Sequence, residues 1–322
     1  MGRLVIAVST AALLAVSAAA PPAAAQIQGL EIVVPAAPGG GWDQTGRAMQ
    51  SALQEGDLAS GIQVVNIPGA GGTIGLAQFV SSKEGQGNAL MTGGLVMLGA
   101  ILTNQSPVTL DQVTPIARLT GEYEVVVVPA SSDVQTLDDL IAQFKEDPQS
   151  VSWGGGSAGG TDHMLVGLIA KEVGVEPSGI NYVPFAGGGE ALASILGGHV
   201  SAGVSGYQEF AGQIETGDLR PLAISSAERL EGVDIPTIKE QGVDVELTNW
   251  RAVFAPPGIS DEDKQALGEA VGKMAESEAW QSTLKDRAWL DLYLPPDEFA
   301  TFLQEDAQQV ETVLKEIGLV QQ

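Results

Sequence analysis

Short runs of aliphatic and β-branched residues alternate with longer stretches of helical spacing along most of the chain. Residues 30–34 read as a strand, with a helix following Trp42. Residues 62–65 and 89–92 read the same way, with helices after Thr73 and over 95–101. The rhythm resumes after a break, with strands predicted at 125–128, 151–153, 180–183, 200–204 and 222–225. A strand-helix alternation of this kind predicts a mostly parallel sheet covered by helices. From Asp261 onward the spacing predicts helices only, with Leu267, Val271 and Met274 on one face, then Trp280 and Leu284, then Phe299, Leu303, Val310 and Leu314. Pro256-Pro257-Gly258 punctuates the change. The pattern therefore predicts an α/β protein of two lobes whose helical tail packs back on lobe 1. Lobe 1 is expected over 26–120 plus 250–322 and lobe 2 over 121–249, with the chain crossing near 118–122 and 247–253.

The first 25 residues belong to neither lobe. Arg3 precedes an apolar or small-residue run over 4–20, and Ala23-Ala24-Ala25 stands before Gln26. That is the layout of a secretory signal peptide cleaved after Ala25. As a membrane anchor the run is only about the minimum length, is rich in Ala and meets Pro21-Pro22. Removing 25 of 322 residues leaves 297, more than one hydrophobic core usually serves. The chain has no cysteine, which excludes disulfides, thiolate metal sites, a cysteine nucleophile and a lipid-modified N-terminal cysteine. A free periplasmic protein is expected. Forty acidic residues stand against 15 basic ones, a net charge of −25 that becomes −26 once Arg3 is lost. Nucleic acid is excluded as a partner, because such affinity comes largely from Lys and Arg neutralising phosphates.

Candidate chemistry lies in five glycine clusters: Gly39-Gly40-Gly41, Gly69-Ala70-Gly71-Gly72, Gly93-Gly94, the 154–160 loop and Gly187-Gly188-Gly189. Nearly all fall after a predicted strand and before a helix. There the first N–H groups of the helix lack intrahelical partners and the helix dipole is positive, so an anion can bind. Any one cluster is adequately read as a tight turn. Five of them, at the carboxyl ends of parallel strands in two facing lobes, predict one interlobe cleft for an anionic ligand.

Two enzyme motifs overlap the same loops. Gly155-Gly156-Ser157-Ala158-Gly159 fits the G-x-S-x-G elbow of a hydrolase, which also needs an acid and a later histidine. His163 follows too closely to leave room for that acid, and His199 comes before the sheet should end. Gly154 to Gly159 also fits G-x-G-x-x-G, a weak match in so glycine-rich a loop. The two histidines lack metal-ligand spacing. Asp162 and His163 read as a polar helix start within reach of the cleft, and His199 as a turn residue. No catalytic residue, cofactor or metal is expected, and an exported serine hydrolase using Ser157 is the alternative.

The segments from Val34 to Asp43, Asn66 to Gly72, Trp153 to His163, Tyr182 to Gly189 and Pro236 to Gly242, in this order and spacing, resemble the periplasmic receptors of the tripartite tricarboxylate transporter family. The resemblance spans nearly the whole mature chain. It implies a Venus-flytrap periplasmic-binding-protein fold, a monomer delivering a carboxylate to a membrane permease of one large and one small subunit. Main-chain N–H groups and ordered water would hold the ligand. Carried over by motif, the contacts fall at Ala37, Gly40, Gly41 and Asp43 in lobe 1. In lobe 2 they fall at Ser157, Thr161, Asp162, Phe185, Ala186, Gly187, Gly188 and Ser205. Many relatives have Tyr-Lys-Gly where this chain has Phe185-Ala186-Gly187, which removes a cationic contact. At Gly203-Val204-Ser205-Gly206 relatives often place an acidic residue. Citrate and related tricarboxylates are the first expectation, then dicarboxylates.

A body this negative should repel such a ligand. At physiological salt the Debye length is about 8 Å, so distant surface charge is screened while helix ends in a cleft are not. Arg47, Arg118 and Arg251 are read as surface or hinge ion pairs. Gly40 is expected to need a positive φ and close approach, so that Gly40→Val would abolish binding.

Overall fold

The computed structural model describes residues 26–321. The expected signal peptide, residues 1–25, lies outside the described residues.

The first half begins with β1 (Ile27–Gln28), β2 (Glu31–Val34), α1 (Gly41–Glu55), β3 (Ala59–Ser60) and β4 (Gln63–Asn66). It continues through α2 (Thr73–Ser82), β5 (Ala89–Gly94) and α3 (Leu95–Thr103). β2 lies between β4 and β5, parallel to both, and β1 pairs with β3 as a separate two-stranded ribbon. These are the predicted units, because Ile32, Val33, Val34, Leu90 and Met91 are buried on both faces of a helix-covered sheet.

β6 (Thr114–Pro129) is a 16-residue strand that serves both halves. Its register on β11 (Thr248–Ala255) runs from Thr114 to Tyr123, and from Glu124 onward it pairs instead with β9 (Ala202–Gly206) and β10 (Leu219–Ile224). The segments expected as crossovers, 118–122 and 247–253, are thus two antiparallel strands hydrogen-bonded to each other. Between β6 and β9 come α4 (Leu137–Glu146), β7 (Ser152–Gly155), α5 (Thr161–Val173), β8 (Asn181–Pro184) and α6 (Gly188–Leu196). The helix α7 (Tyr207–Thr216) joins β9 to β10. β7 is parallel to both β8 and β9. The run Val125–Val128 divides by alternation: Val126 and Val128 pack with Trp153 and Leu165, while Val125 and Val127 pack with Ile195 and Phe210 on the opposite face.

After β11 the chain forms α8 (Asp261–Glu276), α9 (Glu278–Asp286), β12 (Leu290–Leu294) and α10 (Pro296–Glu316). Leu267, Met274, Trp280, Phe299, Leu303 and Leu314 share a core with Ile32 and Met49 of the first half and Phe254 of β11, so the tail packs on lobe 1 as predicted. Its last residues reach further: Ile317 packs on Gly167 of α5, and Lys171 pairs with Glu316 at 2.7 Å. The expectation of helices only after Asp261 is corrected by β12. Leu290, Leu292 and Leu294 alternate with Asp291 and Tyr293, which is strand periodicity. β12 pairs antiparallel with the free edge of β6, where Thr120 Oγ donates to the Leu290 carbonyl at 2.7 Å and Arg118 Nε to the Leu292 carbonyl at 2.8 Å.

Candidate functional site

Apart from α10, which starts from Pro295, the described helices divide into two kinds at their N-termini. α4, α8 and α9 are capped by side chains of Thr136, Ser260 and Ser277, each accepting a backbone N–H of the first turn. α1, α2, α3, α5, α6 and α7 start instead from Gly40, Gly72, Gly94, Gly160, Gly187 and Gly206, which have no side chain to spend on those N–H groups. Uncapped N–H groups and the positive end of the dipole thus face outward from the carboxyl ends of the strands. Five of these starts, all but that of α3, converge on one cleft of about 720 Å3, mouth included.

The cleft is lined from the first half by residues of the Pro35–Trp42 and Gly69–Gly72 loops, with Val96. From the second half come residues of the 156–162 loop, Ala186, Gly187, Gly188, Ser205 and Glu209, and from β11 Asn249 and Arg251. Of the twelve residues singled out from sequence, Ala37, Gly40, Gly41, Ser157, Thr161, Asp162, Ala186, Gly187, Gly188 and Ser205 are brought together here. Two are not. The Asp43 carboxylate accepts the N–H of Gly39, Arg47 Nε and Asn66 Nδ2, each at 2.9 Å, and so braces the β2–α1 loop from behind. Burial pushes its pKa up, but these partners, Arg47 foremost, bring it below the usual carboxylate value. Phe185 turns away to pack beside Val183 and Val200, with its N–H on the Gly155 carbonyl.

The expectation for Gly40 is also corrected. Its φ is −77° with ψ 172°, extended backbone open to any residue, and an added Cβ would sit in ordinary contact 3.8 Å from the Ala37 carbonyl. The turn's positive φ belongs to Gly39, at 89°. Close approach is needed at Gly41, Gly188 and Gly206 instead, where a Cβ would overlap Arg251, Glu209 and Glu122 respectively.

Those three side chains form the part of the site that sequence reading missed, apart from Arg251, which it placed in a hinge. Arg251 and Glu122 are an ion pair whose side chains are each 2% exposed. Glu209 Oε1 accepts the Gly41 N–H at 3.1 Å and lies 4.0 Å from Arg251. Glu124 is fully buried beside Asp162, whose own carboxylate accepts the Gly156 N–H at 2.6 Å. Arg118 bonds β12 and stacks on Phe302, and Arg47 holds Asp43 at the surface, so neither lines the cleft.

Burial dominates the ionisation of this cluster. It raises Glu209 to about 8, reinforced by Asp162 and opposed by the N–H groups of Gly41 and Gly188 and the Ser205 hydroxyl. It raises Asp162 to about 6 against the Gly156 N–H. Glu124 is pushed well above the ordinary carboxyl range by burial and by the charges of Asp162 and Glu209, which favours its neutral form. Burial and the neighbouring Arg287 draw Arg251 down to about 9.

All three carboxyls bind protons more tightly when folded than when unfolded, where their values lie near 4. Their stabilisation is therefore complete below the unfolded values and is lost as pH rises through the folded ones. Ligand-free protein is expected to unfold roughly 5 °C lower or more at pH 8.5 than at pH 5.5. Circular-dichroism melts check this, and equal midpoints would mean that the carboxyls ionise without cost.

The hydrolase motif does not assemble. His163 Nδ1 accepts the Gly159 N–H at 3.2 Å and its ring stacks on Tyr182 at 4.0 Å. Among the described residues no histidine hydrogen-bonds to Ser157, whose carbonyl instead accepts the Gly160 N–H at 2.9 Å in the tight turn. No group of three or more His, Cys, Asp or Glu there is arranged to hold a metal ion.

Residues 46–319 match the family described as the tripartite tricarboxylate transporter family receptor. Protein BugT of Bordetella pertussis is 28% identical over 90% of this chain and 89% of its own length. An R. palustris structure with adipate is 25% identical, with a TM-score of 0.82 over 90% of this chain and 97% of the other. MatC from Rhodopseudomonas palustris with bound malate, 24% identical, superposes with a TM-score of 0.79 over 89% and 99% of the two chains, which shows the shared fold. With the match running through both halves of the sheet and the whole helical tail, the chain belongs to the tripartite tricarboxylate transporter receptor family.

Proposed function

We propose that this protein is a periplasmic receptor that captures a small di- or tricarboxylate between its two lobes. It then delivers the ligand to a tripartite permease of one large and one small subunit. The observation that carries this reading is the convergence of glycine-capped helix N-termini from both halves on one cleft. Backbone N–H groups at a helix start neutralise a carboxylate without needing a cation. One ligand carboxylate would meet α1 and α6 at Gly41 and Gly188, and another would meet the 156–161 turn. The adipate held by the R. palustris relative supports the ligand class. Lobe 1, 26–120 plus 250–322, would close on lobe 2, 121–249, by bending where β6 changes partners at 123–124. Export rests on the expected signal peptide. Among the described residues no helix is long and apolar enough to cross a membrane.

Thermal unfolding of the mature protein against citrate, malate, succinate and adipate tests the reading. A ligand at about 100 times its Kd adds ~2.7 kcal/mol to the folded state, a rise of several degrees in midpoint. Flat midpoints across the panel at pH 6 would remove carboxylates as the ligand class.

A further inference from the structure

Glu209 occupies the place that the carboxylate reading reserves for the ligand. Its side chain is 10% exposed and reaches from α7 to the first N–H of α1, in the opposite half of the molecule, at Gly41. Its other oxygen, Oε2, is buried against the start of α6 at Gly188 and beside Ser205. No Cβ obstructs either helix start, so the space that admits this carboxyl is the space a ligand carboxylate would use. The cleft therefore already holds one carboxyl group of its own at its best anion position.

Resting on the reading of this cleft as a carboxylate site, we propose that Glu209 determines affinity as a built-in competitor of the ligand, which the site accepts only together with a proton on Glu209. Two like charges about 4 Å apart at an effective dielectric constant of about 20 repel enough to cost roughly a thousandfold in affinity. A neutral Glu209 removes that repulsion and turns its hydroxyl into a donor to the incoming oxygen. Burial and neighbouring carboxyls oppose its ionisation, against the pull of the Gly41 and Gly188 N–H groups and the Ser205 hydroxyl. Asp162 of α5 lines the cleft, with Glu124 of β6 buried beside it and Glu122 of β6 buried on Arg251. Arg251 on β11 is the cation near it, and it is already paired with Glu122, with Arg287 behind. The other charged groups on adjoining elements are turned elsewhere: Asp43 of α1 to Arg47, Glu190 of α6 to the Ala186 N–H, and Arg220 of β10 to the carbonyls of Ala130, Ser132 and Val134. Burial already lifts Glu209 to about 8, so the proton is in place near neutrality and is lost above it.

The test compares the mature protein with Glu209→Gln, by calorimetric titration of citrate, malate and adipate from pH 7 to pH 9, where the ligand carboxyls stay ionised. Expected for the native chain is an affinity that falls toward tenfold per pH unit above about 8, with uptake of close to one proton per ligand at pH 9. Expected for Glu209→Gln is an affinity at pH 9 at least tenfold tighter than native and nearly level across the range. Asp162 and Arg251 are retained in both proteins, so a slope that survives in Glu209→Gln belongs to them and overturns the proposal, as does a level native profile. In ligand-free protein, the amide resonances of Gly41 and Gly188 should titrate together near pH 8 and stop doing so in Glu209→Gln. If none of the three acids binds either protein at any pH, the carboxylate reading fails. The amide titration still decides whether Glu209 sits at the two helix starts with a raised pKa, and its absence would overturn the competitor role on its own.

Discussion

Arg251→Met is expected to destabilise the protein by ~3–5 kcal/mol, because it strands a buried carboxylate. Arg251 is 2% exposed on β11, its guanidinium paired with Glu122, 3.5 Å from the Thr45 hydroxyl and 5.3 Å from the centre of the Trp289 ring. Removing the cation leaves Glu122 buried, with Glu209 nearby and nothing to offset desolvation. The double variant Arg251→Met/Glu122→Leu removes both charges, and a buried pair replaced by apolar groups of similar size is often near neutral. It should recover more than half of the loss. Urea unfolding of the two variants measures the difference. A single variant within about 1 kcal/mol of native, or a double variant no more stable than the single, would show that the pair is not what holds this end of the cleft. Ligand affinity of the double variant is a separate readout, since Arg251 also borders the α1 helix start at Gly41.

Gly188→Ala is expected to lower carboxylate affinity about 10- to 100-fold while leaving the fold intact. Gly188 is the first residue of α6, where alanine suits the backbone, and alanine is the better helix former by ~1 kcal/mol. An added Cβ there would overlap the Glu209 carboxyl and crowd the Ser205 hydroxyl, so it fills the point at which the helix start meets its anion. Losing one hydrogen bond to a charged group costs roughly 1.5–3 kcal/mol, which sets the expected range. Gly189→Ala is the control, because an added Cβ at that neighbour meets nothing within 4 Å. Calorimetry on both variants decides the matter. Equal affinities for the two would mean that the ligand is not seated on the α6 N-terminus.

How much of this was readable before the fold depended on whether a property is local. Strand-helix alternation is local, so β2, β4, β5, β7, β8 and β9, and the helices α1, α2 and α3, lie close to where periodicity placed them. The pattern Leu290, Leu292, Leu294 was equally local, but its strand role rested on a free edge of β6 that only folding supplies. Glycine at helix starts was visible as well, and with parallel strands it pointed to a single anion cleft, into which ten of the twelve named residues fall. Asp43 and Phe185 sit beside the right loops but face backward, because which way a side chain turns at a loop is decided by what packs behind it.

What sequence alone determined here is the α/β order, the two-part build and the glycines at the helix starts, all consequences of spacing along the chain. What only the tertiary structure decided is which charges share the cleft. Glu122, Glu124, Asp162, Glu209 and Arg251 come from strands and helices up to 129 residues apart, and of the four acids only Asp162 lies in a motif, while nothing in the neighbouring sequence distinguishes Glu122, Glu124 and Glu209 among 40 acidic residues. Burial lifts the proton affinities of Glu124, Asp162 and Glu209 and lowers that of Arg251, and burial is a property of the packed molecule that one-dimensional order cannot express.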